Sequence, residues 1–152
     1  MAEINVTRTR LSQVAGTKAP AASHNRMRVA VASMAAAYAQ PAQNDTAGTD
    51  LLLMKGSRLA GLPLVSNGAG TAASTLSIGL RNPVTKVAID ATAIVNALAI
   101  NAAQISQPAT GTKLITGQDY VLLEDAEIYF TFGGAAGLAN QQICAYIYYV
   151  AP

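Results

Sequence analysis

Between residues 51 and 150 the sequence is cut into short apolar segments whose residues alternate in character, and the segments are separated by turns rich in Gly, Asn or Pro. A period of two is the period of an extended strand, whose successive side chains point to opposite faces. The clearest case is Ala73 to Leu80, where Ser74, Leu76, Ile78 and Leu80 share one face and the small Ala73, Thr75, Ser77 and Gly79 the other. Ile128, Phe130 and Phe132 repeat the pattern against Glu127, Tyr129 and Thr131. A chain written this way buries one face of each strand against another sheet, so an all-β sandwich is the expected class.

The first 28 residues differ. They are polar and irregular, and Arg8, Arg10, Lys18, Arg26 and Arg28 stand against Glu3, five bases against one acid and a net of about +4. The expected organisation is an extended basic N-terminal arm over residues 1–28 followed by one β-sandwich domain over 29–152. At 152 residues the chain suits one domain and an extension. Charged residues make up only 12% of it. That is about half the usual share, so the surface has little charge to keep it apart from copies of itself or from a partner. The arm's charge suits an acidic surface, and it would equally keep a tail solvated.

Eight strands are expected. Val29 to Tyr38 is the first, followed by a polar loop from Gln40 to Thr49. Asp50 to Met54 and Ser57 to Val65 flank Lys55-Gly56 as a hairpin would, with Pro63 placing the second run at an edge or bulge. Ala73 to Leu80 and Val84 to Ile89 follow, and Asp119 to Leu123, Ala126 to Phe132 and Gln141 to Val150 close the chain. This is the strand number of a jelly roll. From Asp90 to Ile105 the rhythm changes: Ala91, Ile94, Val95, Leu98, Ala102 and Ile105 follow helical spacing and Asp90 can act as N-cap, so a short helix is expected, although the Ala, Thr and Asn content also suits a long loop.

Little here supports catalysis. His24 is the single histidine and lies in the arm, where nothing rigid would hold a triad or a metal. Cys144 is the single cysteine, so no intramolecular disulfide or multi-Cys zinc site can form. Glu124, Asp125 and Glu127 cluster, with the first two in a turn and Glu127 on the solvent side of the next strand, where solvation accounts for all three. Gly68-Ala69-Gly70-Thr71-Ala72-Ala73 has the outline of a dinucleotide fingerprint, but a strand pattern follows where a helix must present its amides to pyrophosphate. No cofactor is expected, and the chain reads as no enzyme.

Met27 to Gln40 imitates a secretory signal, yet it sits 26 residues inside the chain, and no apolar run is long enough to span a bilayer. The arm holds no aromatic residue to stack on bases, so direct nucleic-acid binding is not expected. Tyr129, Tyr146, Tyr148 and Tyr149 gather near the C-terminus instead. Tyrosine suits half-buried faces, and these four are the candidates for self-association.

The order of features resembles the small cement or decoration proteins that accompany the major capsid protein in tailed bacteriophages. The resemblance rests on the arm ending Ala22-Ser23-His24-Asn25-Arg26-Met27-Arg28, on Gln43-Asn44-Asp45-Thr46, on Lys55-Gly56-Ser57-Arg58-Leu59, on Ser74-Thr75-Leu76-Ser77-Ile78-Gly79, on the Ala/Thr/Asn-rich middle and on the closing Ile147-Tyr148-Tyr149-Val150. It implies a jelly-roll-like domain on the outer surface of an icosahedral shell assembled in the host cytoplasm. The implied partners are the major capsid protein and further copies of the chain, as a dimer or trimer, with no membrane involved. Arg8, Arg10, Arg26 and Arg28 are then the candidates for contact with capsid carboxylates. The competing reading is a carbohydrate- or receptor-binding β-sandwich of a virion or adhesin, for which the absence of Trp leaves only the tyrosines as a platform.

Overall fold

A computed structural model describes residues 27–115 and 120–152. Nine strands are present: β1 (Met27–Ser33), β2 (Thr46–Leu53), β3 (Arg58–Leu59), β4 (Leu64–Asn67), β5 (Thr75–Arg81), β6 (Ala88–Ala99), β7 (Gln104–Ser106), β8 (Ala126–Gly133) and β9 (Ile143–Val150). They form two antiparallel sheets, ordered β1-β9-β4-β7 with β3 also on β9, and β2-β8-β5-β6. With β3 set aside, eight strands divide four and four in the manner of a jelly roll. No described residue is helical.

The two alternating segments singled out in the sequence lie side by side. Leu76 faces Phe132, Ile78 faces Phe130 and Leu80 faces Ile128, and all six are fully buried or nearly so. From the opposite sheet Val65, Ile143, Ala145 and Ile147 close the core, with Ala30 and Ala32 at the β1 edge. Each large side chain buried here stabilises the fold by roughly 1.5–3 kcal/mol before the entropy of ordering it is subtracted.

The expected helix over 90–105 is instead the long strand β6, a short turn and β7. Pairing of β6 with β5 is interrupted by register shifts, and Ala93, Ile94 and Val95 are buried in succession. Such bulges break the period of two, and the resulting spacing mimics that of a helix. Asp90 Oδ1 does accept the Thr92 N–H at 2.9 Å, as an N-cap would, while its Oδ2 accepts the Thr112 hydroxyl at 2.6 Å. The first bond is local to β6, and the second ties the strand to the segment crossing it. There Gly111 comes so close that a Cβ would stand 2.2 Å from the Ile94 carbonyl oxygen, which admits only glycine.

Other boundaries move as well. Residues 83–87 form a turn rather than a strand, with the Asn82 side chain accepting the N–H groups of Val84 and Thr85 at 3.0 Å each. The chain around Lys55-Gly56 passes from one sheet to the other, because β2 pairs with β8 and β3 with β9, so it closes no hairpin. Of the run expected at Asp119 to Leu123, Asp119 lies outside the described residues, and Val121 makes an isolated bridge to Arg58. Strand β1 ends at Ser33, and β2 begins four residues before the expected run at Asp50.

Candidate docking surface

Strand β1 carries apolar residues on both faces. Ala30 and Ala32 point into the core, whereas Met27, Val29 and Val31 point outward and are 59%, 48% and 48% exposed. Such a strand reads as one covered on two sides. Its neighbours continue the outer face in rows. Val29 lies opposite Tyr148, Val31 opposite Tyr146, and Tyr146 opposite Leu64 on β4. The next row runs from Ser33 through Cys144 and Ser66 to Ile105, itself 72% exposed. None of the five strands contributes an acidic residue to this sheet, and Arg58, opposite Val150, is the base they bring to its outer side. An apolar, nearly uncharged face of this kind marks an interaction surface.

The tyrosines divide by strand parity. Tyr146 and Tyr148 stand on the outer face, Tyr149 packs against the core, and Tyr129 belongs to the other sheet, where it is only 4% exposed. The Arg81 guanidinium lies 5.0 Å from the Tyr129 ring centroid, so this ring is occupied within the protomer and offers little to a neighbour. Arg28 sits on β1 opposite Tyr149 and is exposed at the end of the sandwich. Arg8, Arg10 and Arg26 lie outside the described residues. The signal for Val29 and Val31 was present in the sequence as an alternation that is apolar in both registers.

Glu127 departs from the expected solvent face. It is on the outer side of β8, as alternation requires, but is only 3% exposed. Arg81, its cross-strand partner on β5, donates from Nε at 3.1 Å and from Nη2 at 2.9 Å, and Lys86 Nζ donates at 2.6 Å. The fork from Arg81, assisted by Lys86, outweighs burial and holds the Glu127 carboxyl down at about 2. Next to it a Cβ on Gly48 would stand 2.4 Å from Arg81 Nη2, so a glycine on β2 leaves room for the pair. Both carboxylate oxygens of Glu127 are thus engaged within the protomer.

A hollow of about 470 Å³ opens beside the end of β1, lined by residues that include Ser33, Met34, Asn67 and Cys144. Its lining holds neither an aromatic ring nor a carboxylate, the groups that usually bind a sugar. Among the described residues, no group of three His, Cys, Asp or Glu could hold a metal ion.

By sequence the chain matches no family model and no curated protein. By structure it is similar to a chain of the capsid asymmetric unit of cyanophage Pam1, with a TM-score of 0.56, 12% identity, and coverage of 84% of this chain and 86% of that one. A chain of the acid-stable capsid of the Helicobacter pylori bacteriophage KHP30 aligns with a TM-score of 0.47 and 17% identity over 83% of this chain and 88% of that one. The likeness to the Pam1 chain is one of fold. Fold and surface together define a jelly-roll-like module with one broad apolar sheet face.

Proposed function

We propose that this chain is a structural protein of a phage virion, a cement or decoration protein that binds the outer surface of the head between major capsid protein subunits and stabilises the shell against the pressure of packaged DNA. A cement protein of a Bordetella short-tailed phage is the kind meant. The observation that carries this reading is the outer face of the β1–β9 sheet, apolar and without an acidic residue, on a fold shared with a chain of a phage capsid. A surface of standard size, about 1,600 Å² in total, binds strongly when repeated over a symmetric lattice. In this reading the basic segment preceding β1, residues 1–26, lies across neighbouring subunits, with Arg8, Arg10 and Arg26, together with Arg28 at the start of β1, paired to capsid carboxylates, and Tyr146 and Tyr148 on the outer face serve self-association.

A cement acts on a lattice already shaped and contributes binding energy to its closed form. Particles lacking the protein should therefore assemble but release DNA at a lower temperature than complete ones, read by dye access to DNA during heating. Equal release temperatures, with attachment to host cells lost instead, would favour the carbohydrate- or receptor-binding reading.

A further inference from the structure

Besides the two-residue β3, whose outer side carries the bridge to Val121, four strands edge the two sheets, and three of these are defended against pairing with another chain. Strand β7 has three residues, β2 is broken by a register shift between Gly48 and Leu52 with Asp50 at φ 55°, and β6 is interrupted repeatedly with Ala97 at φ 50°. Short, bulged and kinked edges do not extend a ladder. Strand β1 has none of these features. It runs seven residues in unbroken register with β9, contains no proline, and no described strand pairs with its other side.

The backbone of that open side can be assigned residue by residue. Met34 donates to the Ile143 carbonyl at 3.0 Å, continuing the β1–β9 register and placing the even residues of β1 in its hydrogen-bonded pairs. On β9 the Tyr148 carbonyl turns the other way, accepting from Ala60 at 3.0 Å, so Val29 opposite it is in a non-hydrogen-bonded pair. In an antiparallel ladder these alternate. The N–H and C=O groups of Met27, Val29, Val31 and Ser33 therefore face the open edge.

We propose that this edge is the site where a second copy of the chain adds its own β1, antiparallel, about a two-fold axis through Ala30. The segment Met27-Arg28-Val29-Ala30-Val31-Ala32-Ser33 is self-complementary in that register. Val29 pairs with Val31 of the partner subunit on the outer face, Met27 with the partner's Ser33, and Ala30 with the partner's Ala30. The outward-facing groups then meet one another and make up to about eight backbone hydrogen bonds. On the outer face the two pairs of exposed valines form β-branched cross-strand contacts. The two apolar faces merge into one of doubled width. Only Arg28 is charged in the segment, and it falls opposite the partner's Ala32, so like charges never meet. The inference deepens the self-association in the proposed function and is independent of shell binding.

The test combines sedimentation equilibrium with residue-resolved amide exchange on the full chain over a range of concentrations. At low concentration the amides of Arg28, Ala30 and Ala32 should be protected by β9 and those of Val29 and Val31 open. As dimer forms, Val29 and Val31 should become protected. Val31→Pro removes an N–H that β9 does not use and should weaken dimerisation about tenfold or more, one bond being lost from each protomer. Should that variant unfold, Val29→Lys, which sets a charge in the valine pair, should weaken dimerisation while leaving the monomer folded. A dimer unaffected by a folded variant, or a chain that stays monomeric with these amides open, overturns the proposal. Protection in a monomer at every concentration overturns it too, assigning the edge to residues 1–26. Protection only on added capsid shells would assign it to a capsid strand, and would equally overturn the pairing of copies.

Discussion

Replacing Phe130 with Ala should destabilise the protein by about 3–5 kcal/mol, the largest loss expected from a single core truncation here. Phe130 is fully buried, lies opposite Ile78 on β5, and is flanked on its own strand by the equally buried Ile128 and Phe132. These side chains are fixed by two strands in register, so the walls cannot collapse inward to fill the space. Urea unfolding followed by circular dichroism measures the loss. Val84→Ala provides the contrast: Val84 is 86% exposed at the tip of a turn, and its truncation should change stability by less than about 0.5 kcal/mol. Similar small effects from both substitutions would mean that the β5–β8 face is not the core.

Glu127→Gln should cost about 3 kcal/mol near neutral pH, because it leaves Arg81 half-paired in a covered site where the amide accepts only one strong bond. The pH dependence follows with a definite sign. The carboxyl titrates at about 2 in the folded protein and near 4.5 unfolded, so its stabilising contribution is complete above about pH 5 and is lost as pH falls from there toward 2. Between pH 5 and pH 3 the loss should be on the order of 2 kcal/mol. In Glu127→Gln that part of the acid loss should vanish. Asp90 leaves a smaller slope of the same sign, since hydrogen bonds from Thr112 and Thr92 outweigh its burial and hold its carboxyl below the ordinary range. Chemical denaturation at several pH values separates the two. An unchanged acid slope in Glu127→Gln would show that the Arg81 pair contributes nothing net.

The strands that the sequence made legible are those with one face apolar and one face small or polar. Thr75–Arg81 and Ala126–Gly133 were readable to within two residues because nothing interrupts their alternation. Ala88–Ala99 was not, because its bulges are imposed by the crossing segment at Gly111 and the opposing β5, which a local pattern does not contain. Glu127 shows the same limit at a single residue. Parity placed it correctly on the outer side, but its burial depends on Arg81, 46 residues away, and on the turn that delivers Lys86. The docking face was half legible. Tyr146 and Tyr148 stood out, whereas their juxtaposition with Val31 and Val29 depends on a pairing between the first and last strands, more than a hundred residues apart.

Sedimentation of the full chain with and without phage heads that lack it tests the central claim most directly. The chain alone should stay in the supernatant. With heads it should pellet at a fixed ratio to the major capsid protein and saturate as its concentration rises. A chain that remains in the supernatant at every ratio, or that pellets without saturation, would contradict a role as capsid cement.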